Sequence, residues 1–494
     1  MIDNIKEVRR SMKIRTLDLR LKFSDILAET QECKKPLAAA AAPFSSSSSA
    51  TVAAAEGPEK CPVRPRRLYL DNNAETRESD SCLQLRILAS SLRGTTEEPT
   101  TVLGNPSSAH HEEGRRAKAL LELARSVLAS ECAAPNLIFA SGATEANHLA
   151  ITAGMNAVAN LKSTAARIVT TPFEHPSVSR VAAEYDPLHV KLYPGGEIDL
   201  DDLENLCSEP DVGMASLILA HNELGIVQSI PGIRAVMERV RRSRESAALP
   251  ILHFDATQLL GKARFNFADS GAQLASWSAH KFHGPSGVGG LFASEPISAV
   301  LAPFPMCCAA SGPGSGQEMG YRAGTENPLG AACAALALVE CDELGENLHA
   351  WEKSREAMDD LAGAIQRACP PGSVVLNAHP SMRVSDAPLR SHGAGRLCNT
   401  VHLSLVSNKK LQVLKDAAAA TKFLDDRGIA VSTGSACSRS APSLALRAAG
   451  LDDARIRGAI RISASPTSPI SEDDIARIAA AFSMAATKFT DSSW

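Results

Sequence analysis

From Arg67 onward, short apolar runs alternate with longer stretches in which apolar residues recur at the helical period. This alternation is typical of an α/β protein with a largely parallel sheet, because each buried strand is followed by a helix that covers the sheet. Residues 112–130 predict one such helix, with an apolar face made of Ala117, Leu120, Leu121, Ala124, Val127 and Leu128. The runs that predict strands are Leu137–Ala140, Arg167–Thr170, Ala215–Ala220, Ile251–Phe254 and Val288–Phe292.

The same pattern divides the chain into three parts. Residues 1–66 contain alanine and serine runs interrupted by prolines, which predicts a flexible low-complexity extension. Residues 67–335 carry the predicted strands and form the large domain. Residues 336–494 begin with a long helical pattern and include the strand-like runs Thr400–Leu405 and Gly458–Ser463, which predicts a smaller α/β domain.

Composition narrows the class of protein. The chain has 494 residues, of which 44% are hydrophobic and 21% charged, with a net charge of −4. This size supports a large enzyme, and the charge gives no reason to expect nucleic acid or an anionic membrane as partner. No apolar run reaches the roughly 20 residues that a membrane-spanning helix needs.

Cysteine usage and the N-terminus bear on the compartment. The 12 cysteines lack CxxC pairs and metal-site spacing, which favours buried thiols in a reducing compartment. The cytoplasm is the compartment that this predicts. Basic residues within positions 1–30 are compatible with a mitochondrial presequence. Acidic residues in the same stretch argue against one, and mitochondrial import stays open as the alternative.

Polar residues follow the predicted strands in order, and catalytic groups of such sheets gather where strands end. They include Thr144 in a small-residue turn, His175, Asn222, and the pair Asp255 and Gln258. Taken singly, each has an ordinary structural explanation, such as a helix cap or a core histidine. The ordered set, followed by Ser278, His280 and Lys281, predicts an active site.

Lys281 and Asp255 together indicate pyridoxal phosphate chemistry. A lysine at the end of an apolar strand can form a Schiff base with this cofactor, and a carboxylate on an earlier strand can bind the pyridinium nitrogen. Taken alone, Lys281 would more often be a surface lysine.

The chain from about Leu68 to its end resembles the cysteine desulfurase and selenocysteine lyase family, which has the class V aminotransferase fold. The resemblance spans about 400 residues in the family's order. The stretches that carry it are Leu70–Ala74, Gly104–Ser108, Ser141–Glu145, Glu174–His175, Asn222–Gly225, Asp255–Gln258, Gly316–Glu318, Arg322–Asn327, Val431–Cys437 and Ile460–Ser463. It implies the aspartate aminotransferase-like fold of pyridoxal phosphate-dependent transferases, with a large, mostly parallel sheet and a smaller α/β domain.

The resemblance also implies residue roles. Lys281 would carry the cofactor and protons, Asp255 would bind the ring nitrogen, and His175 would stack on the ring. Asn222 and Gln258 would bind the phenolic oxygen of the cofactor, and Thr144, Ser278 and His280 would bind its phosphate. Thr325 would bind the phosphate of the neighbouring subunit's cofactor. Arg461 and Asn73 would bind the substrate. The role of Thr325 implies a homodimer. A guanidinium suits the substrate carboxylate, because it can bind both oxygens.

Cys437 carries the chemistry that is specific to this family. The resemblance makes it the thiolate that attacks the sulfur or selenium of L-cysteine or L-selenocysteine, leaving L-alanine and a persulfide or selenopersulfide on Cys437. A sulfur or selenium acceptor protein would then be a further partner. The other eleven cysteines are expected to be buried packing residues.

The chain departs from the family's pattern at several positions. Glu75 stands where a threonine is usual, His221 where an asparagine is common, and Ser465-Pro466 where Gly-Arg is expected. The segment after Cys437 is also shorter than in typical members. None of these changes removes a residue with a predicted catalytic role, so they bear on specificity and rate.

The sequence leaves alternatives for both the substrate and the reaction. The local sequences Gly316–Glu318, Gly324–Asn327 and Leu249–His253 slightly favour selenocysteine over cysteine as the substrate. A catalytically inactive homologue that serves as a binding scaffold is one alternative, although a scaffold has no need of four intact site residues, Lys281, Asp255, His175 and Cys437. Another class V reaction, such as transamination or kynurenine cleavage, would have no use for a cysteine in a mobile loop.

Overall fold

The computed structural model describes residues 16, 18–27, 66–91, 103–161, 166–245, 249–302, 316–347, 349–377, 395–406, 417–433 and 443–490. Helix α1 covers residues 18–27. The other helices are α2 (Asp80–Ser91), α3 (Glu112–Glu131), α4 (Ala143–Leu161), α5 (Pro176–Ala182), α6 (Leu200–Ser208), α7 (Ile230–Ser243), α8 (Phe267–Ser270), α9 (Pro328–Asn347), α10 (Ala350–Ala368), α11 (Ala417–Asp425), α12 (Leu444–Ala448), α13 (Asp453–Arg457) and α14 (Glu472–Thr490).

The strands are short and mostly buried. They are β1 (Leu68–Tyr69), β2 (Asn136–Ala140), β3 (Arg167–Thr170), β4 (Leu188–His189), β5 (Val212–Ile218), β6 (Ile226–Val227), β7 (Ile251–Asp255), β8 (Leu274–Ser278), β9 (Gly289–Ala293), β10 (Val374–Leu376), β11 (Gly395–Arg396), β12 (Thr400–Leu405), β13 (Ile429–Ala430) and β14 (Ala459–Ser463). The five strands predicted before residue 300 are all present, with ends shifted by a few residues.

A seven-stranded sheet in the described residues has the order β2-β9-β8-β7-β5-β3-β4. Pairings among β8, β7, β5, β3 and β4 are parallel, whereas β9 runs antiparallel to both of its neighbours. Alternate residues of β2 pack in two separate cores, Leu137 and Phe139 in one and Ile138 and Ala140 in the other. Helices therefore cover both faces, and β2, β3, β5, β7 and β8 end at the same edge.

A second sheet is antiparallel, with the order β10-β12-β14. Its core includes helices α10 and α14, and it also contains Leu68 and Leu70 from the start of the folded chain. These two residues join it because β1 pairs with β13. Residues 68–70 therefore pack with the C-terminal part, although their position in the sequence assigned them to the large domain.

Helix α9 crosses the predicted boundary at residues 335 and 336. Its residues on both sides of that point, including Ala335 and Leu336, belong to the core of the large sheet. Helix α10 instead packs in the second core, through Met358, Leu361 and Ile365. The division at residues 66 and 335 stays a prediction, and the packing of the described residues differs from it at both places.

Helix α1 differs from the expected appendage. Leu19, Phe23 and Leu27 are buried in the core of the large sheet, and they recur at the spacing of one helix face. The Thr16 hydroxyl donates to Glu343 Oε2 at 2.5 Å, which fixes the helix near α9. This short part of the N-terminal region is therefore a packed element. No described helix is long and apolar enough to cross a membrane.

Candidate active site

A cavity of about 500 Å³ lies where the parallel strands end. Ten of the twelve predicted site residues line it: Asn73, Thr144, His175, Asn222, Asp255, Gln258, Ser278, His280, Lys281 and Arg461. The backbone at Gly142 approaches that at Gly289 closely, because Gly289 has no side chain: a Cβ there would lie only 2.5 Å from Gly142 Cα. The turn after β2 is thus held beside the end of β8, as the order of strand-end residues predicts.

Lys281 follows β8 in a short 3-10 turn, Ala279–Lys281. Its Nζ donates to two backbone carbonyls, Asn73 O at 2.8 Å and Ala74 O at 2.7 Å. Burial, and then the charge of Arg461, lower the pKa of Lys281 to about 8. Lys281 therefore has more free amine near neutral pH than an ordinary lysine, as a nucleophilic lysine requires.

Four residues form an inner cluster deep in the site: Asn147, His175, Ser177 and Asp255. Asp255 ends β7 and is buried, and its carboxylate accepts from Asn147 Nδ2 at 2.9 Å and from the Thr257 backbone N–H at 3.0 Å. Asn147 Nδ2 also donates to Ser177 Oγ at 2.9 Å. One amide from helix α4 thereby connects the end of β7 with the first turn of α5.

His175 caps the N-terminus of α5. Its Nδ1 accepts from the Ser177 backbone N–H at 3.2 Å and lies 2.7 Å from Ser177 Oγ. Burial lowers the pKa of His175, Asp255 opposes this, and Lys281 adds to it. The imidazole is therefore neutral, with its proton on Nε2. A protonated imidazole would repel a positively charged ring stacked on it, and the neutral form does not.

Five residues form an outer cluster near the cavity mouth: Glu75, Thr144, Ser278, His280 and Ser286. Thr144 lies in the first turn of α4, where backbone N–H groups have no intrahelical acceptor. Glu75 accepts from Ser286 Oγ at 2.9 Å, and its other carboxylate oxygen lies 2.7 Å from His280 Nδ1. The unusual Glu75 thus places a negative charge beside hydroxyls and N–H groups suited to a phosphate.

Asn73 joins the two halves of the site. Its backbone carbonyl accepts from Lys281 Nζ and from Gln258 Nε2, at 2.8 and 2.9 Å. Its side-chain Nδ2 donates to Thr400 Oγ1 at 2.8 Å and to the Asn222 carbonyl at 3.2 Å. Thr400 belongs to the second sheet, so one residue connects Lys281 with both sheets.

Arg461 lies on β14 and is almost fully buried. It donates to Asp71 Oδ1 at 2.5 Å and to the Asn222 carbonyl at 2.9 Å, while its Nε has no partner among the described residues. Asp71 occupies the position that a substrate carboxylate would take against the guanidinium. The sequence did not assign a role to Asp71, although it stands in the motif Leu70–Ala74.

Two predicted residues are not among the described residues that line this cavity. Thr325 is exposed, and its Oγ1 accepts from Asn105 Nδ2 at a long 3.5 Å. Cys437 lies outside the described residues. The described residues on either side of it are fixed near the site, since Ser432 pairs with Arg461 and Ser443 Oγ donates to Glu223 Oε1. Both roles stay predictions.

His221 is a structural residue of the turn after β5. It is fully buried, its Nδ1 accepts from the Leu224 backbone N–H at 3.1 Å, and its ring lies 4.7 Å from that of Phe173. Burial lowers the pKa of His221 to about 3, so it stays neutral. This departure from the family's pattern therefore adds no charge to the site.

The described cysteines are buried and unpaired, as expected: Cys82, Cys132, Cys207, Cys333, Cys341, Cys369 and Cys398. Burial raises the thiol pKa of several of them, to about 12 for Cys207 and about 11 for Cys398. Such thiols are poor nucleophiles. They do not compete with Cys437 for the predicted role.

Comparison with known proteins places this geometry in a family. The family model described as aminotransferase class-V matches residues 68–380. The chain belongs to this family. Its fold is that of the pyridoxal phosphate-dependent transferases, and members of the family use that cofactor.

The curated relatives include cysteine desulfurases. One from Frankia sp. (strain EuIK1) is 32% identical over 414 residues, which cover 80% of this chain and 86% of that protein. The one from Homo sapiens is 31% identical over 434 residues, which cover 85% of this chain and 81% of that protein. A solved NifS-like protein matches with a TM-score of 0.67 at 26% identity, covering 85% of this chain and 98% of that one.

The described residues fit the family's cofactor. An amine with a lowered pKa, a buried carboxylate and a helix N-terminus with hydroxyls line the same cavity, and each matches one part of pyridoxal phosphate. Lys281 would hold its aldehyde carbon, Asp255 its ring nitrogen, and Thr144 and Ser278 its phosphate.

Proposed function

We propose that this protein is a pyridoxal phosphate-dependent lyase that removes sulfur from L-cysteine to give L-alanine, with L-selenocysteine as an alternative substrate. The observation that carries the proposal is the joining of Lys281, Asp255 and Arg461 in one cavity. The cysteine desulfurases among the relatives support cysteine as the substrate class. The slight preference of the sequence motifs for selenocysteine keeps that amino acid as the second candidate.

The residues of the chain account for binding and proton transfer. Arg461 would take the substrate carboxylate, with Asp71 moving away from the guanidinium or sharing it. Lys281 would carry the proton removed from the substrate, because its pKa of about 8 allows both forms near neutral pH. When bound, the cofactor supplies an electron sink for the substrate carbon.

Cys437 would perform the sulfur step. Its thiolate attacks the substrate sulfur, the bond between sulfur and Cβ breaks, and the carbon keeps the electron pair and takes a proton to become the methyl group of alanine. Cys437 is left as a persulfide, or a selenopersulfide with selenocysteine. A thiol reductant or an acceptor protein must then remove the sulfur before the next turnover.

The test is alanine release from L-cysteine and from L-selenocysteine, each with excess reductant. Wild type is compared with Cys437→Ala and with Cys369→Ala, a buried cysteine outside the cavity that serves as the matched control. We expect wild type and Cys369→Ala to release alanine from cysteine, and Cys437→Ala to lose this activity. Turnover of selenocysteine with poor turnover of cysteine would reassign the protein as a selenocysteine lyase.

Two other outcomes would overturn the lyase proposal. A pure protein without cofactor absorbance and without alanine release would indicate a binding scaffold. Bound cofactor, with Cys437→Ala fully active on a different amino acid, would indicate another class V reaction.

The proposal includes a homodimer in a reducing compartment, the cytoplasm. Support for the dimer is the exposed Thr325, which the family resemblance assigns to the neighbouring subunit's phosphate. Mixing Thr325→Ala chains with Lys281→Ala chains tests it, since hybrid dimers would contain one site free of both substitutions. Recovery of activity on mixing supports the shared site, and no recovery together with a monomeric mass in solution contradicts it.

A further inference from the structure

Lys262 is a buried lysine that lies behind the cavity. Its side chain is fully inaccessible to solvent, and no carboxylate pairs with its amine among the contacts of the described residues. Its Nζ donates to Gln258 Oε1 at 2.5 Å and to Asn73 Oδ1 at 3.1 Å. Burying an amine without a counter-ion is costly, so the position calls for an explanation beyond packing.

The amine fixes which way the Gln258 amide faces. The protonated amine can only donate, so it requires the oxygen of Gln258 on its own side. One N–H of the Gln258 amide is then used by the Asn73 carbonyl, at 2.9 Å. Gln258 also lines the cavity, so its second N–H is left for an acceptor there.

Both hydrogen bonds of Lys262 survive a change of charge. Burial, and then the charge of Lys281, lower the pKa of Lys262 to about 7. A neutral amine still has two N–H groups, which equals the number of acceptors it serves. The other ionisable groups that face it are Cys398, Arg461 and Cys341, and none of these is a carboxylate.

We propose that Lys262 is a positioning residue: by holding Gln258 Oε1 and Asn73 Oδ1, it makes Gln258 present an N–H group to the phenolic oxygen of the cofactor. Without Lys262, the Gln258 amide loses the donor that holds its oxygen, and the Asn73 carbonyl alone then orients its N–H groups. The inference rests on the proposed function, since Gln258 has an acceptor to face only if the cavity binds this cofactor.

A double-mutant cycle tests the inference with two readouts, the dissociation constant of pyridoxal phosphate for apoprotein and the visible absorption band of the bound cofactor. The four proteins are wild type, Lys262→Met, Gln258→Met and the double variant. We expect each single variant to bind about 10-fold more weakly, the loss typical of a hydrogen bond to a charged group. The double variant is expected to lose no more than Gln258→Met, because Lys262 acts through Gln258.

A matched control separates positioning from general stability. Gln228 is also a buried amide, bonded to the Gly196 carbonyl and the Ile198 backbone N–H, and it does not line the cavity. Gln228→Met should change the melting temperature and leave cofactor affinity and absorption unchanged. If Lys262→Met does not fold, Lys262→Gln replaces it, and this variant is expected to keep part of the affinity because it retains N–H donors.

The outcomes are distinct. Wild-type affinity and absorption in Lys262→Met would overturn the inference, and so would additive losses in the double variant. A wild type that neither binds the cofactor nor releases alanine would overturn the proposed function instead.

Discussion

The inner and outer clusters hold the two ends of the same cavity by different means. In the inner cluster, Asn147 connects Asp255 with Ser177 and His175, and the groups are buried or half-buried. In the outer cluster, Thr144 is exposed and the carboxylate of Glu75 is half-exposed. Electrostatic interactions weaken with access to water, so substitutions in the inner cluster should have the larger effects.

The largest expected effect comes from removing the inner charge. Asn147 and Thr257 donate to different oxygens of Asp255, so Asp255→Asn keeps an acceptor for only one of them and removes the charge that would bind the ring nitrogen. Alanine release should fall by about 100- to 1,000-fold, the range for loss of one electrostatic group at a reacting centre. Asp269→Asn, at an exposed position of α8, should keep full activity. Wild-type turnover by Asp255→Asn would show that the inner carboxylate is not needed.

Asn147→Leu should have an intermediate effect. It keeps the size of the side chain but takes one donor each from Asp255 and Ser177, so we expect about 10-fold weaker binding of pyridoxal phosphate. The matched control is Asn377→Leu, a buried asparagine bonded to His402 and Ser404 in the second sheet. Both variants should melt at lower temperature, and a loss of affinity in both would mean that the effect is not local to the inner cluster.

Glu75→Gln should have the smallest effect and the opposite sign. Removing the charge relieves repulsion of the phosphate, and the exposed position limits the gain in cofactor affinity to about threefold. Burial and Lys281 lower the pKa of His280 while Glu75 raises it, so the wild-type imidazole gains its proton only on acidification. The gain should thus be larger at pH 8 than at pH 5.5, where Glu75 also stabilises a protonated His280. Weaker binding at pH 8, compared with Glu78→Gln as a control outside the cavity, would contradict this.

The sequence predicted the cavity residues well because the positions of Asp255, His175 and Lys281 follow from one rule. Each lies at the end of a buried strand or in the turn that follows one, and parallel strands bring such positions to one edge. The same reasoning could not find Asn147 or Lys262. Asn147 lies inside a helix, and the only signal for Lys262 is a charged residue four positions after Gln258 in an apolar turn.

Other differences also have physical causes. Strand β9 runs antiparallel to β8 because the segment after Lys281 turns the chain back. The apolar pattern of a strand is the same in either direction, so the sequence did not reveal this. Helix α1 was missed because charged residues surround Leu19, Phe23 and Leu27, and only docking against the large core makes these three side chains a buried face. The joining of β1 to β13 is invisible to any local pattern.

That last pairing has a consequence for biosynthesis. Lys281 donates to the carbonyls of Asn73 and Ala74, and the strand just before them, β1, finds its partner β13 only near the end of the chain. At about 5–20 residues per second, the ribosome needs roughly 20 s or more to make the chain between them. The lysine therefore emerges long before its carbonyl partners are fixed in place, and a nascent chain stalled before residue 429 should capture the cofactor poorly even though the large sheet has already been translated.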